Sequence, residues 1–211
     1  MGDANFSLEN HIAAGDRKLT RANAVGVDLN RAHITKRQPE TTALHDNVLR
    51  AYDVDDLIDL HHQGTRSAVN GELVSGSILS STNPAVDPAV PEASKRLGSV
   101  VYNAIEPTGW GLLGKYVGGT ENTIGRNGIA TEYGIATLLF EMRGMSDHAN
   151  PSAVLGQKSN GYLIRQTVTT PESTARAIAD RSSETADITF WDTLPEQRSL
   201  GWPAEEADTD E

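Results

Sequence analysis

The chain of 211 residues has room for one ordinary domain with a sizeable core. Its 18 Lys and Arg against 29 Asp and Glu give a formal charge of −11, which argues against a phosphate-backbone partner such as nucleic acid. Cysteine is absent, which excludes disulfides, thiolate metal sites and thiol nucleophiles together, so any metal must be held by His, Asp or Glu. No stretch approaches the roughly 18 consecutive apolar residues of a membrane span. Met1 to Asn10 lacks the basic and apolar regions of a signal peptide, and the cytoplasm is the default expectation.

In chain order, residues 1–24 are polar and aperiodic. Val25–Leu29 reads as a short strand ending in a polar turn. Pro39 opens a helical pattern with Leu44, Val48, Ala51 and Tyr52 on one face. Leu57, Ile58 and Leu60 read as a buried strand running into His61 and His62. The segment 64–88, rich in Gly, Ser, Asn and Pro, reads as a long loop. Pro91 opens a second helix, with Ala93, Leu97, Val100, Val101, Ala104 and Ile105 toward one buried side. Residues 107–128 read as Gly-rich loop, and Ile135–Met142 as a central strand interrupted only by Glu141. Thr170-Pro171-Glu172 reads as the start of a third helix, with Thr170 as cap and Pro171 at the first position. The acidic tail, 203–211, is expected to be disordered, and 1–202 to form one domain. Alternating strands and helices imply an α/β fold with a mixed, largely parallel central sheet flanked by helices.

In open α/β sheets, sites form beyond the carboxyl ends of strands. Three predicted strand ends carry polar residues: Asn30 and Arg31, His61 and His62, and Glu141 with Arg143. Taken alone, each has a plain reading. Glu141 pairs with Arg143 two residues away on the same strand face, His61 is a hydrogen-bonded structural histidine, and Arg31 is a surface arginine after a turn. The alternative is a shared site, in which Arg31 grips a carboxylate through its planar fork and Asn30 adds a neutral donor. Only one of His61 and His62 can reach it, because neighbours on a strand point to opposite faces.

The order of the segments favours the shared site. Gly26-Val27-Asp28-Leu29-Asn30-Arg31 resembles the Gly-Val-Asp-x-Asn-Arg signature of the zinc metallocarboxypeptidases. Asp59-Leu60-His61 resembles the strand carrying that family's third zinc ligand. Phe140-Glu141-Met142-Arg143-Gly144 resembles the strand carrying its catalytic Glu. The resemblance spans residues 17–146. It implies a hydrolase that cleaves the C-terminal bond of peptides, or of small amides such as cell-wall peptides, with a metal-activated water. Glu141 would be the general base, His61 a zinc ligand, and Asn30 with Arg31 the grip on the substrate's free C-terminal carboxylate. Arg21, with Arg17 as rival, would steady the oxyanion. Tyr116, before Gly118-Gly119-Thr120, would close over substrate, and Asp28 would orient a ligand histidine. Glu121 suggests a basic terminal residue.

The same resemblance predicts a His-x-x-Glu pair upstream of Asn30 that supplies the other two zinc ligands. No such pair occurs in residues 1–30: His11 is the one histidine there, and Ala14 stands three residues after it. The expectation is an N-terminally incomplete domain in which Met1 is an internal methionine and zinc finds one ligand of three. The alternatives are an inactive carboxylate-binding module or a non-functional fragment.

Overall fold

The computed structural model describes residues 22–23, 25–144 and 157–201, the side chains of 157–160 aside. His11, Arg17, Arg21 and the acidic tail lie outside the described residues. The strands are β1 (Asp56–Gln63), β2 (Ser67–Val69), β3 (Glu72–Leu73), β4 (Gly76–Ser80), β5 (Leu113–Lys115), β6 (Ala136–Arg143) and β7 (Arg198–Ser199). The main sheet has the order β1-β6-β4-β5; β1 runs parallel to β6, β4 antiparallel to β6, and β5 parallel to β4. The short strands form a second sheet, β3-β2-β7. Helices are α1 (Pro39–Leu44), α2 (Ala89–Ile105), α3 (Gly125–Tyr133), α4 (Gln157–Ala179) and α5 (Phe190–Thr193). The architecture is thus α/β, with a mixed, largely parallel sheet flanked by helices.

Burial explains the layering. Ala136, Leu138, Phe140 and Met142 alternate along β6 and meet Ile78 of β4 and Leu97, Val101 and Ile105 of α2 in the main core, which Trp191 and Leu194 close. These residues put α2 on one face of the sheet. The other face holds a smaller cluster, Leu49, Ile129 and Ile135, packed against Leu57 and Tyr133, so α1 and α3 lie there. That face carries Asp59, His61, Ser77 and Glu141, as the strand registers require. Gly134, at φ +69°, ends α3 in the left-handed conformation that glycine tolerates.

Several elements depart from the sequence reading. Val25–Leu29 is not a strand: an isolated bridge joins Ala22 to Asp28, and Leu29–Arg31 forms a 3-10 turn. After α1 the chain continues as a π-turn, His45–Leu49. The wider turn shifts the buried face to His45 and Leu49, leaving Val48 42% and Tyr52 69% exposed. The expected loop 64–88 contains β2, β3 and β4, and β4 is buried throughout. The expected loop 107–128 contains β5 and the start of α3. Pro171 does not open a helix; it lies inside α4, which begins at Gln157.

Candidate active site

Parallel pairing of β1 with β6 places His61 directly beside Glu141. Directly paired residues of neighbouring strands project to the same face, so the two side chains share one wall. Glu141 is 7% exposed, and Ser77 of β4 stands opposite it on its other side. Gln63 reaches across to Ser77, donating from Nε2 to Oγ at 3.1 Å. His61 is half-buried, and its Nε2 lies 3.0 Å from Asp59 Oδ1, two residues earlier on the same face. An Asp at that nitrogen holds the ring with Nε2 protonated and makes Nδ1 the basic nitrogen. His62, on the opposite face, is exposed. Arg143 is half-buried, its Nε buried without a hydrogen-bond partner among the described residues, and burial lowers its pKa.

The Asn30 turn is delivered differently from the sequence expectation. Asp28 caps the 3-10 turn, its Oδ1 accepting from the Asn30 N–H at 3.0 Å. Asn30 Oδ1 accepts from the Gly125 N–H at 2.7 Å, satisfying one of the donors at the start of α3. Asn30 therefore ties the turn to the helix. Arg31 is exposed and folds back to donate to the Asn30 carbonyl at 2.7 Å. Tyr116 follows β5, its N–H donating to the Ile78 carbonyl at 2.9 Å. Glu121 is exposed and lies over Gly119.

Sequence reasoning missed Arg126. It is 2% exposed, among the largest fully buried side chains described. Its Nε donates to the Ser80 carbonyl (3.2 Å), and Nη2 donates to Thr82 Oγ1 (2.9 Å) and the Gly119 carbonyl (2.5 Å). All three acceptors are neutral. Burial lowers its pKa, while Tyr116, Asp59, Glu141 and Glu121 act to raise it. A buried guanidinium held by neutral dipoles is compensated by the acidic groups around it. The signal was present as a lone Arg within a Gly-rich stretch. Neighbouring Asn127, fully buried, fastens the same loop: its Oδ1 accepts from Ser81 Oγ and the Thr82 N–H, and its Nδ2 donates to the Gly119 and Glu121 carbonyls.

Metal-donor chemistry is incomplete among the described residues. No group of three or more His, Asp or Glu is placed to hold an ion, and His61 stands as a single donor beside its carboxylate. The residues described do not fit a full zinc site.

No family model and no curated protein matches the chain. Solved structures do. A metallo-carboxypeptidase from Pseudomonas aeruginosa, in complex with (2-guanidinoethylmercapto)succinic acid, superposes with a TM-score of 0.52 at 20% identity over 76% of this chain and 41% of its own. A metallo-carboxypeptidase from Burkholderia cenocepacia superposes with a TM-score of 0.50 at 16% identity, over 75% of this chain and 40% of its own. The chain spans about two-fifths of the length of these structures. At these identities the likeness is one of fold, and over that span the chain has the fold of the metallo-carboxypeptidases.

Proposed function

We propose that this chain is the part of a carboxypeptidase-type hydrolase that carries the general base and the substrate-carboxylate grip. The observation that carries the reading is the side-by-side placement of Glu141 and the Asp59-held His61 on one face of the sheet. Glu141 takes a proton from the attacking water and returns it to the leaving amine. Its burial supports a proton-transfer role over a surface ion pair. Asn30 and Arg31 hold the terminal carboxylate, and Tyr116 closes over the substrate. Arg21 steadies the oxyanion, and Asp28 orients a ligand histidine. His61 would supply one donor of a zinc site whose remaining ligands would come from outside the described residues.

Substrates in this reading are peptides or small amides with a free C-terminus. Glu121, exposed beside Gly119, favours a basic terminal side chain. A second reading is an inactive carboxylate-binding module, in keeping with the incomplete donor set among the described residues.

The test is release of the terminal residue from N-blocked dipeptides in the presence of zinc. The chain is assayed alone and with a segment bearing an upstream His-x-x-Glu pair. Turnover with the segment, abolished by Glu141→Gln while zinc affinity is kept, supports the hydrolase. Full activity in Glu141→Gln overturns it. Carboxylate binding without turnover in either format supports the module.

A further inference from the structure

The proposed function leaves Arg143 unused, although it stands on the same wall as Glu141. It lies two residues further along β6, so its side chain projects to the same face roughly 7 Å on. Among the described residues it makes no ion pair and no side-chain hydrogen bond, with Glu141 or with any other group. Burial acts on its pKa with no charged neighbour contributing.

Gln63 accounts for the missing ion pair with Glu141. It pairs in register with Arg143 from β1, and its Nε2 donates to Ser77 Oγ of β4 at 3.1 Å. Ser77 in turn pairs with Glu141. The Gln63 amide therefore crosses β6 on the site face, between the Glu141 and Arg143 side chains, and keeps them apart. Its own Oε1 is buried without a partner among the described residues, as is Arg143 Nε. A buried donor left unmade costs about 1–3 kcal/mol. A half-buried guanidinium in that state is suited to a carboxylate, which it takes through two parallel bonds.

Glu141 lies between Arg143 and the Asn30 turn along the strand. The turn caps α3 at Gly125, and the carbonyl of the next residue, Arg126, accepts from Thr137 Oγ1 at 2.6 Å. Thr137 stands before Glu141 on β6, and Arg143 after it. A substrate with its terminal carboxylate at the Asn30 turn and its last peptide bond at Glu141 sends its acyl side toward Arg143. One residue of extended chain spans at most roughly 3.6 Å, so the residue before the scissile bond reaches the guanidinium with a side chain of glutamate length.

We propose that Arg143 is a specificity-determining residue that binds an acidic side chain on the residue just before the scissile bond. The inference rests on the proposed reading of the site, with the terminal carboxylate held at the Asn30 turn.

The experiment uses the full chain and two probes of equal shape, acetyl-Glu-Ala and acetyl-Gln-Ala, titrated by NMR at pH 7. Acetyl-Glu-Ala should bind about tenfold more tightly, the scale of one charge-assisted pair at a half-buried site. The formal charge of −11 favours the opposite order, so the general field of the protein cannot produce this preference. Arg143→Met should abolish the preference and keep the affinity for acetyl-Gln-Ala, and Arg143→Lys, a point charge without the fork, should keep part of it. In the wild type the Arg143 Nε–H resonance should shift with acetyl-Glu-Ala and stay in place with acetyl-Gln-Ala, a readout that needs no variant. Equal or weaker binding of acetyl-Glu-Ala, or a preference that survives in Arg143→Met, overturns the inference and leaves the proposed function standing. No binding of either peptide overturns both.

Discussion

The buried ring of His45 makes folding stability depend on pH in a calculable way. Its side chain is 0% exposed, and burial, with help from His33 and Lys36, lowers its pKa from the ordinary 6.5 to about 4. A histidine whose folded pKa lies below its unfolded value binds fewer protons when folded. Its contribution is therefore complete above pH 6.5 and declines as pH falls through the unfolded value toward 4. The full difference corresponds to about 3 kcal/mol, of which about 1.3 kcal/mol disappears between pH 7.5 and 5.5. Most carboxylates stay ionised in that interval, so the loss belongs to histidine. Urea unfolding of wild type and His45→Gln at both pH values isolates it, because Gln cannot titrate. The wild type should lose about 1.3 kcal/mol more than the variant. Equal losses would refute the buried, neutral assignment of His45.

Other expected outcomes concern packing and the site. Gly98→Leu should destabilise by about 1–3 kcal/mol in thermal or urea unfolding, because a Cβ there already meets Trp191 Cζ2 at 2.4 Å. Asn30→Ala should cost about 1 kcal/mol in the same measurement through loss of the bond to Gly125 N–H, and should also weaken binding of acetyl-Ala-Ala. Arg126→Met should lower the midpoint of unfolding by removing three hydrogen bonds to the loop and strand carbonyls and hydroxyl; a neutral result would show that the guanidinium does not hold Ser80, Thr82 and Gly119 together. Arg31→Ala should weaken peptides with a free C-terminus and leave amidated ones unchanged, measured as the ratio of the two affinities.

What the sequence made legible follows from side-chain size and period. β6 was readable because its burial on both faces demands a nearly continuous apolar run, with Glu141 as the visible exception. The buried positions 97, 101 and 105 of α2 follow from helical spacing. β4 was not readable: Gly76-Ser77-Ile78-Leu79-Ser80 packs small residues under neighbouring side chains, where Gly76 meets Phe140 at 2.4 Å from its would-be Cβ. Small residues write the same letters in a tight strand as in a loop. Pro171 was misleading because proline marks helix starts far more often than helix interiors. Of the site, the pairing of His61 with Glu141 was expected from two strand ends. The cap that Asn30 gives α3 and the burial of Arg126 and His45 depend on contacts between distant segments, which no local pattern encodes.

Among the described residues β1 hydrogen-bonds to one neighbour, β6, so the outer side of its eight residues is an open edge. Such an edge is a template for pairing with another chain, and carboxylates along it are a common guard. Here Asp55 and Asp56 stand at its start and Asp59 within it. Burial, with repulsion from Asp55, raises the pKa of Asp56, so this guard begins to discharge at a higher pH than an ordinary aspartate would. Acidification therefore acts on colloidal behaviour as well as on folding. Concentrated samples should self-associate reversibly as pH falls, with light scattering rising while the fold persists.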